Sequence, residues 1–198
     1  PGAKDAAILP GFDIHIGQLK IAKLNIAEGI AGKARTGALS GKADIRDGRA
    51  LVDLAIDAKE GDQLALTLDS EPDRNKFDLE AKLSAPAGGV FGAILGTDRP
   101  IAATITGDGS WKAWKGQLSA DVSAAPAARL SLSADEGHFL ANGTLSLQQI
   151  TKGKLQRLTA PVVRVRGDAR LNDRVLDGGL SLISDAIRVE GKGALDLA

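Results

Sequence analysis

Apolar and polar residues alternate singly along almost the whole chain. In "LALTLDSEPDRNKFDLEAKL" (64–83), Leu64, Leu66 and Leu68 alternate with small or polar residues. Beyond a turn, Phe77, Leu79, Ala81 and Leu83 alternate with Asp78, Glu80 and Lys82. A period of two belongs to a strand with one oily and one wet face. Two such runs around "SEPDRN", punctuated by Pro72 and Asn75, predict a hairpin.

The same writing continues in both directions. "ALSGKADI" (38–45) and "ALVDLAID" (50–57) flank Asp47-Gly48, a hairpin turn dipeptide. Within "LKIAKLNI", Leu19-Ile21 and Leu24-Ile26 switch parity, which predicts a bulge near Ala22-Lys23. Strands are predicted at 101–106, 116–122, 128–134, 138–147 and 160–171, with Asp177-Gly178 opening a last stretch. Strand-turn units of roughly ten residues with Asp-Gly or Glu-Gly turns imply antiparallel neighbours. One segment breaks the rhythm: in "APAGGVFGAILGTDRP", Val90, Phe91, Ile94 and Leu95 fall at helical spacing between glycines. This predicts one short helix near 89–95 in an otherwise all-β, mostly antiparallel and twisted sheet.

A sheet with one oily face normally buries it under helices or a second sheet. One short helix covers little of a dozen strands. Left in water, each aliphatic side chain would forgo about 1.5 kcal/mol or more. Two solutions remain: a tight sandwich, or a trough whose interior holds something apolar. Composition bears on the choice. The hydrophobic fraction is 43%, but aromatics are 3% and Tyr is absent, so the lining is nearly all Leu, Ile, Val and Ala. Sandwich cores lean on aromatic bulk, whereas an aliphatic lining without pronounced shape suits acyl chains.

The residues expected on the inward face are Val52, Leu54, Ile56, Leu64, Leu66, Leu68, Phe77, Leu79, Leu83, Ile101, Ile105, Leu118 and Val122. Leu130, Leu132, Leu145, Leu147, Val163, Val165, Leu180 and Leu182 complete the set. Asp53, Asp57, Asp78, Glu80, Lys82 and Arg164 alternate with them and are expected outward.

Candidate chemistry is sparse. "GIAGKART" has the wrong glycine spacing for a phosphate loop and lacks Ser or Thr after Lys33. "GDGSWK" and "GKGALD" lack the third glycine of a dinucleotide site, and no G-x-S-x-G elbow occurs. Asp44, Asp47, Asp53 and Asp57 do not follow a calcium-loop order. His15 and His138 lie far apart on alternating strands and read as surface or edge residues rather than a metal or catalytic pair. Asn142-Gly143-Thr144 matches a glycosylation acceptor, but Asn-Gly is also a turn dipeptide. No enzyme, metal site or cofactor is expected.

The 25 basic and 25 acidic residues cancel, which argues against a nucleic-acid surface. The absence of Cys removes disulfides and thiol chemistry. Trp111 and Trp114 among Lys112 and Lys115 could anchor a membrane interface; one indole packing at a strand start and the other capping an open end is the plainer reading. Without Met and opening on "PGAKD", the sequence reads as processed or trimmed, with any targeting element outside it.

Four stretches, "PGFDIHIGQLKIAKLNI", "LSGKADIRDGRALVDLAIDA", "PAGGVFGAILG" and "GDGSWKAWKGQLSADV", occur in this order across about the first 125 residues. Together they resemble the TamB proteins of Gram-negative bacteria, in the periplasmic region after the inner-membrane anchor and in an alphaproteobacterial version. The remainder is similar only by strand pattern. Ala85 before Pro86 departs from the acidic residue expected there.

The resemblance implies an AsmA-like bridge-type lipid transfer protein folded as a long U-shaped β-groove, the β-taco. All 198 residues would be one continuous segment of that longer groove. It implies phospholipid acyl chains as cargo, a TamA-like outer-membrane barrel met by a region outside this sequence, and inner-membrane anchoring through a missing N-terminal element. The location implied is the periplasm. The competing expectation is a dry-core β-sandwich or β-solenoid segment of a bacterial surface protein. A lipid-modifying enzyme lacks a candidate nucleophile.

Overall fold

The computed structural model describes residues 13–28, 34–46, 49–58, 61–71, 74–110, 112–151, 153–172 and 175–196. Twelve strands form one sheet in which spatial order equals chain order. They are β1 (Ile14–Ile26), β2 (Arg35–Arg46), β3 (Arg49–Ala58), β4 (Gln63–Glu71), β5 (Lys76–Ala85) and β6 (Ile101–Gly109). β7 (Ala113–Val122), β8 (Ala125–Asp135), β9 (His138–Leu145), β10 (Val163–Asn172), β11 (Val175–Ile183) and β12 (Arg188–Asp196) follow. Every pairing is antiparallel, and the sheet is curled but not closed, so β1 and β12 remain its two edges. The all-β, antiparallel expectation holds.

The expected hairpin forms with Leu66 opposite Ala81 and Leu68 opposite Leu79. Its Pro72, like the predicted Asp47-Gly48 turn, lies outside the described residues. Two register shifts interrupt β1, between Ile16 and Leu19 and between Ile21 and Leu24. The second is the expected bulge; the first adds another. Each inserts a residue that restores parity, so Ile14, Ile16, Leu19, Ile21 and Leu24 all pair with odd-numbered residues of β2 and share one face.

Some turns differ from expectation. Asp177-Gly178 lies inside β11, opposite Ala169 and Arg170, and opens no strand. Asn142-Gly143 lies inside β9 rather than in a turn. Both glycines answer to close approach: a Cβ at Gly143 would fall within 3.0 Å of the Arg129 carbonyl and the Leu130 Cα, and one at Gly178 would strike Ala169. The β7–β8 turn instead uses Ser123 and Ala124, both at positive φ (52° and 61°), without the usual Gly or Asn.

The predicted helix is α1 (Val90–Ile94). A 3₁₀ turn (Leu147–Gln149) and α2 (Gly153–Leu158) also form, unanticipated, between β9 and β10. Leu147, expected as a strand residue, belongs to that turn, because β9 ends at Leu145.

Asp62, 1% exposed, fixes α1 from the β3–β4 connection. Its carboxylate accepts hydrogen bonds from the backbone N–H groups of Val90 (2.8 Å) and Phe91 (3.0 Å). Arg35 donates to the Gly88 carbonyl at 2.9 Å. Val90 is buried beside Ala58, while Phe91 and Ile150 pack against Ala85, Ile101, Val122 and Ala127. Extensive packing otherwise joins only neighbours within the sheet. Among the described residues no second sheet lies against the first.

Candidate functional site

In an antiparallel ladder, directly opposed residues point to the same side, so the registers trace cross-strand rows. One row runs Leu19, Gly41, Leu54, Leu66, Ala81, Ile105 and continues Leu118, Leu130, Gly143, Val165, Leu182, Val189. It crosses all twelve strands without a polar side chain. At the usual strand spacing it is about 50 Å long. The flanking row through Ile16, Ala43, Val52, Leu68, Leu79, Gly107, Gly116 and Leu132 is equally apolar. Among paired strand positions on this face, only Arg35 and Ser70 are polar.

Residues of the same type compared across the sheet show that the apolar face is the more sheltered one. Ala103 on the apolar face is half-buried, while Ala102 beside it on the other face is exposed. Ala81 and Ala65 differ in the same way. Larger side chains stand beside them on this face, Leu66 and Ile105 next to Ala81 and Leu83 next to Ala103. Leu54, Leu66, Leu118, Leu130 and Leu182 in the lane are half-buried rather than buried. The largest apolar exposures in strands lie toward the two ends of the sheet, at Ile16, Leu19 and Ile21 and at Leu180, Val189 and Leu195.

The residues expected inward divide simply. Val52, Leu54, Ile56, Leu64, Leu66, Leu68, Phe77, Leu79, Leu83, Ile101, Ile105, Leu118 and Val122 share the apolar face by register. So do Leu130, Leu132, Leu145, Val163, Val165, Leu180 and Leu182. Leu147 does not. Trp114 joins the face unexpectedly, stacked on Phe77 with ring centroids 5.1 Å apart and an interplanar angle of 24°. It packs near the start of β7; Trp111 lies outside the described residues. The β1 residues were missed because the two bulges hide their common parity.

Asp53, Asp57, Asp78, Glu80, Lys82 and Arg164 take the opposite face. Ion pairs cross or run along it, among them Lys42–Asp53 at 3.0 Å and Lys82–Glu80 at 2.7 Å. His15 sits 3.4 Å from Asp44 on the β1–β2 pair, and His138 2.8 Å from Asp168 on β9–β10. At the β3–β5 end, Lys76 meets Asp69 at 2.5 Å and Arg49 meets it at 3.1 Å. The Lys76 hydrogen bond, reinforced by Arg49 and opposed by burial, holds the Asp69 carboxyl below the usual carboxylate range. Among the described residues, no three His or carboxylate side chains gather closely enough to hold a metal ion, and no helix is long and apolar enough to cross a membrane.

The arrangement can hold a long aliphatic molecule by dispersion and water exclusion, with little discrimination between such molecules. No protein-family model matches the chain, and neither does any curated protein or solved structure.

Proposed function

We propose that the chain is a segment of a TamB-like conduit that carries phospholipids along its apolar lane between the inner and outer membranes. The single observation that carries the reading is the uninterrupted apolar row across all twelve strands, no member of which is buried. A patch of that length left to water is unusual for a monomeric protein. Acyl chains supply the missing cover while exchanging easily, because no polar contact fixes them. A dry-core structural segment would bury these leucines under a second layer. In this reading the protein works in the periplasm, its membrane anchor and barrel partner engaging regions outside this sequence, and it catalyses no reaction.

The test is photocrosslinking in lipid-bearing cells from Leu66 and Leu132 in the lane and from Asp78 on the outer face. Lipid adducts at both lane positions and none at Asp78 are expected. No adduct from correctly folded protein overturns the reading. Leu66→Asp and Leu132→Arg should stop passage, because a bare charge on an apolar path costs several kcal/mol. In a trough that admits water these variants should still fold.

A further inference from the structure

The two margins of the lane differ in chemistry. Phe77, Trp114 and Phe139 are the aromatic residues of the described strands, and all lie in one row: Phe77 opposite Gly109, Gly109 opposite Trp114, Trp114 opposite Ala134, Ala134 opposite Phe139. The row adjoins the short turns joining β4 to β5, β6 to β7 and β8 to β9. Phe77 and Trp114 flank β6 and stack over its glycines; a Cβ at Gly107 would come within 3.2 Å of the Phe77 ring. Ser70, 2% exposed, sits opposite Phe77 in the same row, and its hydroxyl has no hydrogen-bond partner among the described residues.

The other margin is roofed, and Arg35 on this face already donates to the Gly88 carbonyl there. Phe91 of α1 and Ile150 lie over Ala85, Ile101, Val122 and Ala127, with Val90 beside Ala58.

From this asymmetry we infer that an amphiphile in the lane lies across it with a fixed orientation. Its ester and headgroup end follows the aromatic row, and its tail ends point toward the α1 margin. This rests on the lipid reading above. Aromatic rings, and indoles with their N–H above all, favour the boundary between hydrocarbon and polar groups. An unpaired buried hydroxyl is a donor that an ester carbonyl would satisfy. From the Ser70 row to the Leu64 row is six residues, about 20 Å along the strand. That exceeds the ~15 Å hydrocarbon depth of one leaflet.

Two photoreactive phospholipids in phosphatidylcholine vesicles test the orientation, one activated beside the glycerol esters and the other at the tail terminus. Adducts on the unaltered protein are mapped by peptide mass spectrometry. The ester probe should label peptides containing Phe77, Trp114 and Phe139 several-fold more than those containing Val90 and Ile101, and the tail probe the reverse. In Phe77→Leu/Trp114→Leu, which stays apolar, the ester probe should lose its preference while total labelling persists. Equal or inverted patterns from the two probes overturn the orientation but leave the lipid reading standing. No labelling by either probe overturns both.

Discussion

Asp62 and Gly89 form a small mechanical unit whose energetics can be worked through. Removing the carboxylate with Asp62→Ala deletes two charge-assisted hydrogen bonds to the first turn of α1, one to the buried Val90 amide. Such bonds contribute about 1.5–3 kcal/mol apiece, and an orphaned buried amide costs about 1–3. Ordinary cap removals cost about 0.5–2. Burial places this cap above that range, at about 3 kcal/mol, while Asp62→Asn, keeping one acceptor oxygen, should lose about half as much.

Gly89 sharpens the test. Its φ of −68° is ordinary for any residue, yet a Cβ there would lie 2.6 Å from both Asp62 oxygens. Gly89→Ala should therefore destabilise by evicting the carboxylate, and should be nearly neutral once Asp62 is already Ala. The double-mutant cycle should return a coupling of about 2 kcal/mol. Urea midpoints at constant m measure the global effect, and hydrogen exchange at the Val90 and Phe91 amides detects a loss confined to α1. Equal cost of Gly89→Ala in both backgrounds, or Asp62→Ala within about 0.5 kcal/mol of the parent, refutes the unit.

Three further outcomes follow from the sheet. Gly143→Ala should lower stability by about 2–3 kcal/mol through backbone overpacking, whereas Gly191→Ala on the same face, with nothing within 4 Å, should be close to neutral; equal urea midpoints would contradict this. Because the Asp69 pKa is depressed in the fold, its contribution is complete above the unfolded carboxylate value of about 3.9 and fades as pH falls through the lower folded value. The stability gap between the parent and Asp69→Asn should thus narrow below about pH 4 in acid titrations followed by urea, and parallel acid limbs would count against the ion pairs. Asp57→Ser and Glu80→Ser, on the outer face, should each change stability by about 0.5 kcal/mol or less; a loss of several kcal/mol at both would mean the faces are reversed.

Strand existence, partner and facing were legible because the period of two is enforced by burial on one side, as Leu64 to Leu83 illustrate. What escaped notice had competing local signals. The 3₁₀ turn at Leu147 and α2 follow "HFLANGTLSL", whose alternation masked the end of β9 at Leu145. Asn142-Gly143 and Asp177-Gly178 look like turns by dipeptide; a neighbouring backbone too close for a Cβ, a long-range fact, explains the glycines. The Ser123-Ala124 turn carries no glycine to announce it. The latch from Asp62 to α1 spans 28 residues and leaves no periodic trace. The aromatic row depends on four registers holding simultaneously, which alternation within single strands does not reveal.

Since strand order repeats chain order, reach in space is proportional to length of sequence. From Ile14 to Asp196 the chain lays down twelve strands, so roughly fifteen residues advance it by one ~4.8 Å step. No crossover ties distant strands together. Tandem duplication or loss of a hairpin would therefore change the span by about 10 Å while leaving every remaining neighbour in place, as in other one-dimensional folds. Such a protein is a ruler whose graduations heredity can add or remove in pairs.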